Sequence, residues 1–164
     1  FFPTNNSKLN YAAGAATALG WDALAAQYGA FGAQTKPNGE PLGVKPRILL
    51  TGSALEMLAW RLCMSPTLGD VSTASNSVLG TSNPFTRLSP VATDYIADAD
   101  AWYLLTNPAE LSAIEVAFFS GIEQPTVETA QADFGVLGIR MRVKHGFGVA
   151  KQEYRAARKV KGAE

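Results

Sequence analysis

The sequence predicts an α+β domain in which a mixed, mostly antiparallel sheet is flanked by helices. Three observations predict it. Two short segments carry apolar residues at helical spacing. Several runs rich in β-branched, aromatic and aliphatic residues lie between turn signals. A late segment alternates with period two: Ile139, Met141, Val143, His145, Phe147 and Val149 fall on one face, and Arg140, Arg142 and Lys144 on the other. With 164 residues, 47% hydrophobic and 17% charged, the chain has apolar material for a core and too little charge for disorder.

The elements follow in order. Residues 1–20 are rich in Asn, Ala and Gly without a period, which reads as loop. Trp21, Leu24, Ala25, Tyr28 and Phe31 then mark a helix ending near Gln34, before the turn Lys36-Pro37-Asn38-Gly39. Gly29 and Gly32 each cost that helix roughly 1 kcal/mol against Ala, so something must pack on it. Pro46 to Thr51 reads as a short buried strand. Ser53 with Glu56 three positions on forms a capping box for a helix reaching about Met64, with Leu55, Leu58, Ala59 and Leu62 inward and Pro66 as its stop. Residues 65–84 are mostly Ser, Thr, Asn, Gly and Pro and read as a long surface loop. Strand-like runs at Phe85–Ile96 and Ala101–Thr106 are joined by Ala97-Asp98-Ala99-Asp100, a hairpin-like link. The dense Trp102-Tyr103-Leu104-Leu105 suggests a central strand buried on both faces. Ile114 to Phe119 is another strand, Gly121 to Pro125 a turn, and Ile139 to Val149 the last strand.

The chemistry of sites is thin. One cysteine, Cys63, excludes an internal disulfide, and its place on a helix favours a buried structural thiol. A hydrolase would have to use Ser53 and His145, yet G-x-S-x-G is absent, Ser53 has a capping role, and His145 sits on an apolar strand face. Asp94, Asp98 and Asp100 lack a calcium loop and its closing Glu, and read as hairpin solubility. One His and one Cys argue against a zinc site, and no phosphate-binding glycine motif occurs, so no metal or cofactor is expected. No apolar run approaches a membrane span. The chain opens on Phe1-Phe2-Pro3 without an initiator Met, which suggests a piece of a longer protein. Charge is segregated. From Ile139 onward eight Lys/Arg face two acids, and the rest of the chain carries the balancing excess of acid. Such an end fits an interaction face: a seam with a second copy, or a small nucleic-acid-binding module.

Several stretches together resemble one family. They are the Phe-Phe and Asn-containing segment Phe1 to Leu9, the helix ALGWDALAAQYGAFGAQ, then GEPLGVKPRILLTGSALEMLAWRL, AWYLLTNP, IEVAFFSGIEQPTVE and GIRMRVKHGFGVAKQEYRAARKVKG. In this order they resemble the C-terminal part of tailed-phage major capsid proteins, in particular Mu-type major head subunits, some of which are encoded fused behind a Clp-type prohead protease. The resemblance implies a Hong Kong 97-type capsid fold. It implies a lead-in at 1–45, an axial-like domain at 46–128, and a peripheral-like return strand with a basic tail at 129–164. The N-terminal arm, extended loop and spine helix of that fold would precede Phe1. It implies a non-enzymatic, self-assembling shell subunit, forming pentamers and hexamers around double-stranded DNA. It implies packaged DNA, a prohead protease or scaffold as partners, and residence in the virion after assembly in the host cytoplasm. Arg140, Arg142, Lys144, Arg155 and Arg158 are the candidate subunit-interface residues. Leu68, Asp70, Asn76 and Asn83 are candidates for a loop at the capsomer axis, at one tip of the molecule and far from the Arg140 strand.

Overall fold

A computed structural model describes residues 1–3, 10–66, 82–131, 135 and 137–162. The chain forms two compact units, Phe1–Ala113 with Glu153–Glu164, and Ile114–Gln152. These boundaries differ from the expected divisions at 45/46 and 128/129. The reason is a long-range pairing: the C-terminal segment returns to the first unit as a strand.

In the first unit the strands are β1 (Tyr11–Ala12), β2 (Pro46–Gly52), β3 (Ser89–Thr93) and β4 (Trp102–Thr106), together with the late strand Ala157–Val160, numbered β9. The helices are α1 (Trp21–Gly32) and α2 (Glu56–Met64). The sheet order is β1-β9-β4-β2-β3. β4 pairs antiparallel with β2 and β9, whereas β1 is parallel to β9 and β3 is parallel to β2. The sheet is therefore mixed, as expected, but its four pairings divide evenly between parallel and antiparallel instead of being mostly antiparallel.

The register explains the core. Leu49 lies opposite Leu104, and Trp102 opposite Val160, so these four share one face. They join Leu24 and Phe31 of α1 and Ala59 and Cys63 of α2 in one buried cluster. Both helices thus cover the same face. On the other face Leu50 lies opposite Tyr103 and Tyr103 opposite Lys159, all half-buried, with the Phe2 ring 5.8 Å from that of Tyr103.

Four expectations are corrected here. The hairpin between Phe85–Ile96 and Ala101–Thr106 does not form, because β3 and β4 flank β2 on opposite sides. Pro90 accounts for this: lacking an N–H, it suits an edge strand, and β3 is the edge. The capping box is not made either. Ser53 lies in a 3-10 turn, Ser53–Leu55, through which the chain enters α2, and neither helical segment receives a side-chain cap. Residues 1–20 are not all loop, since β9 recruits β1 through Lys159 N–H to the Asn10 carbonyl and Lys161 N–H to that of Ala12 (both 2.9 Å). The basic end is no tail: β9 lies inside the sheet.

The ends of this unit are tied through Trp102. Its buried indole N–H donates to the Thr17 carbonyl at 3.0 Å, and the Thr17 hydroxyl lies 2.8 Å from the Gly162 carbonyl oxygen. Gly162 has φ +82°, and a Cβ there would overlap the Asp100 backbone. Only glycine fits.

The second unit holds β5 (Ile114–Phe118), β6 (Thr126–Gln131), β7 (Ile139–Lys144) and β8 (Phe147–Lys151). They form two separate antiparallel ladders, β5 with β8 and β6 with β7. The single strand expected from Ile139 to Val149 is broken at His145-Gly146, where the chain changes partner. A Cβ at Gly146 would stand 3.0 Å from that of Phe119, whose N–H donates to the Gly146 carbonyl at 2.9 Å.

Gly162→Ala is expected to destabilise the first unit by at least ~1–2 kcal/mol, from the left-handed backbone alone. Chemical denaturation followed by Trp fluorescence checks this, and an unchanged midpoint would contradict the tie described.

Candidate assembly surfaces

The five basic residues singled out by charge fall into two groups with different physics. Arg140, Arg142 and Lys144 alternate along β7 and share one face of the β6–β7 ladder. Opposite them in register stand Ala130, Glu128 and Thr126. Glu128 accepts from Arg142 Nε at 2.5 Å and pairs with Lys144 through its other oxygen. These hydrogen bonds, Lys144 first and Arg142 second, hold the Glu128 carboxyl below its ordinary value near 4.5. Among the described residues Glu128 is the acid in register with these cations, and the strip faces solvent.

Arg155 and Arg158 belong to the first unit and are largely spent inside it. Arg158 is buried on β9, and its Nε donates to Gln27 Oε1 of α1 at 2.7 Å. Burial draws its guanidinium down from the ordinary value. Arg155 Nη1 is 3.1 Å from Glu153 Oε1, and its guanidinium lies 4.5 Å from the Tyr154 ring centroid. The periodicity of a basic segment did not separate these two from the β7 strip. What separates them is the place of β9 between β1 and β4, which the residues Ala157 to Val160 do not signal.

The opposite face of the β6–β7 ladder is apolar and open. Val127 lies opposite Val143, with Met141 and Ile139 along the same row. They are 58%, 66%, 67% and 70% exposed. In the β5–β8 ladder, Val116 opposes Val149 and Phe118 opposes Phe147, again largely in solvent. Most of the exposed large apolar side chains among the described residues lie in this unit. His145 is not a core residue. It is exposed at the strand break, its ring centroid 5.7 Å from Phe118 and 5.4 Å from Phe147, with Nε2 3.1 Å from the Glu123 carbonyl oxygen.

Of the loop residues, Leu68, Asp70 and Asn76 lie outside the described residues, as does most of the 65–84 loop. Asn83 is described, and it is buried rather than at a loop tip. Its Nδ2 donates to the carbonyls of Leu62 (2.7 Å) and Ser65 (2.9 Å), and its Oδ1 accepts from Phe85 N–H at 2.9 Å. It thereby caps the end of α2 and the start of the 3-10 helix Pro84–Arg87. Ser53 is exposed, and Cys63 is a buried thiol whose pKa is pushed up to about 11 by desolvation. Among the described residues no group of three His, Cys, Asp or Glu could hold a metal ion, and no helix is long and apolar enough to cross a membrane.

A family model described as phage capsid protein matches residues 2–160. No curated protein matches the chain.

Two outcomes follow from the charge geometry. Arg158→Ala is expected to cost about 1.5–3 kcal/mol, the range for hydrogen bonds to charged groups, whereas Arg142→Ala stays within about 1 kcal/mol, as exposed pairs do. Equal losses in urea titrations would refute the division. Because the Glu128 pKa is lowered, its support for the β6–β7 pairing is full above the ordinary glutamate range and is lost as pH falls through the lowered value. Amide NMR signals of Val127 and Met141 are expected to shift on acidification below that range, and Glu128→Gln to remove the step.

Proposed function

The chain belongs to the phage capsid protein family, and from that premise we propose that it builds a Hong Kong 97-type icosahedral shell enclosing double-stranded DNA. Capsid proteins are structural components of the virion. The subunits gather into pentamers and hexamers, in the manner of Mu-type major head subunits and their relatives fused to Clp-type proteases. A prohead protease or scaffold accompanies assembly in the host cytoplasm.

The observation that carries this reading is the second unit's surface. A two-stranded ribbon is marginal in water by itself. Here both ladders expose apolar rows, including Ile139, Met141 and Val143. Contiguous exposed apolar surface of this kind marks protein contact. Covered by other protein of the shell, the rows lose that water-exposed area at about 25 cal/mol per Å². Each contact is modest, and closed symmetry multiplies it. The basic strip on the opposite face supports a role against acidic groups, either of neighbouring subunits or of packaged DNA.

Electron microscopy of the full capsid protein is the direct test, with rings or shells expected. Met141→Lys with Val143→Lys should abolish them while leaving the near-ultraviolet signal of buried Trp102 unchanged. Shells that tolerate both lysines would remove the role given to that face. In a salt titration of filter binding, steep loss of DNA affinity with salt would assign the basic strip to phosphate contact. Absence of binding at low salt would assign it to protein neighbours and sink the alternative of a nucleic-acid-binding module.

A further inference from the structure

The first unit carries two apolar features open to solvent, an outer helix stripe and a groove at the edge of its core. On α2, Met57, Trp60 and Met64 follow at i, i+3 and i+7, and they are 72%, 56% and 43% exposed. The opposite side of the helix holds buried Ala59 and Cys63, so the inward face is already satisfied. The second feature is an open groove between α1 and the 3-10 helix Pro84–Arg87, about 720 Å³, lined by Trp21, Ala25, Tyr28, Gly29, Phe85 and Arg87. Its base is aromatic: the Trp21 and Phe85 rings are 4.5 Å apart, and those of Tyr28 and Phe85 6.0 Å.

Gly29 lies exposed in the groove wall. A glycine weakens a helix, and close packing is the usual compensation. At Gly32 a Cβ would meet only the movable tip of the Lys45 side chain, 2.9 Å from Nζ. At Gly29 a Cβ would meet no described atom within 4 Å. The described chain therefore gives no reason for glycine in the groove wall. An outside side chain passing close over α1 would.

We propose that the Met57–Trp60–Met64 stripe of one copy seats in the α1 groove of the next, with Trp60 over Gly29. The inference rests on the shell-subunit reading above and names the surfaces through which copies meet. Charge agrees with a second copy as occupant. Glu56 stands exposed beside the stripe and Arg87 exposed on the groove rim, and neither has an ion pair among the described residues. Stripe and groove are different surfaces of the same chain, so the contact is head-to-tail. Repeated around an axis, such a contact closes a ring, whereas a self-complementary patch stops at a dimer.

The full capsid protein carrying Glu56→Cys and Arg87→Cys tests this under mild oxidation. Cys63 is buried and stays out of the reaction. A ladder of covalent oligomers is expected on non-reducing gels, with each single variant giving dimers at most. Gly29→Leu should fill the groove and suppress ring and shell formation at least tenfold, without lowering the melting temperature. Shells that form normally with no ladder, a double variant that stops at dimers, or a Gly29→Leu protein that assembles normally would each overturn the contact and leave the shell reading standing. Failure of the unaltered protein to assemble would overturn both.

Discussion

The first unit depends on the buried Trp102 indole. It sits on β4 opposite Val160 of β9, and its N–H reaches back to the Thr17 carbonyl. Thr17 in turn holds Gly162 through its hydroxyl. Three segments distant in sequence are thereby brought to one point: the turn before α1, the middle of the sheet and the end of the chain. The neighbouring Asn10 side chain works in the same way, donating to the Phe1 and Tyr154 carbonyls. Each of these polar groups is buried, so each tie counts for more than it would in water. With the end of the chain anchored, everything between Ile114 and Gln152 becomes an excursion that leaves the first unit and returns to it.

That excursion is built on different terms. It has ladders where the first unit has a covered sheet, and its strands show alternation without burial. The basic and apolar faces of β7 are both solvent-exposed. In a phage capsid protein such surface is available to the neighbours that capsid assembly brings. The same logic applies to the outer stripe of α2 and to the groove walled by Gly29. In each place local folding rules are satisfied, but an apolar surface remains open among the described residues.

Much of this was legible in sequence. The helix starting at Trp21, the strand from Pro46 and the inward face of α2 follow from spacing, because short-range periodicity reports which side of an element is dry. The run Trp102 to Leu105 reads as a central strand buried on both faces, and it is central but only half-buried on its Tyr103 and Leu105 face. Pro90 carried information about the edge strand that a plain count of strand-formers passes over. What periodicity does not contain is the identity of a partner. The run Ile139 to Val149 reads as one strand because its alternation is unbroken, yet its two halves pair with β6 and β5. The constraint that divides it, the close approach of Phe119 to Gly146, is a contact between segments far apart in the chain.

The sequence by itself determined the α+β class, the helix positions, the charge segregation toward the C-terminus and, through the order of its stretches, the resemblance to phage capsid proteins. Only the tertiary structure decided what the charges do. Arg158 and Arg142 belong to equally basic strands. One is buried against Gln27, because β9 is enclosed between β1 and β4, and the other stands in solvent on a two-stranded ladder. The place of β9 is set by pairings across more than fifty residues, and no local pattern of side chains encodes which strand will lie inside a sheet.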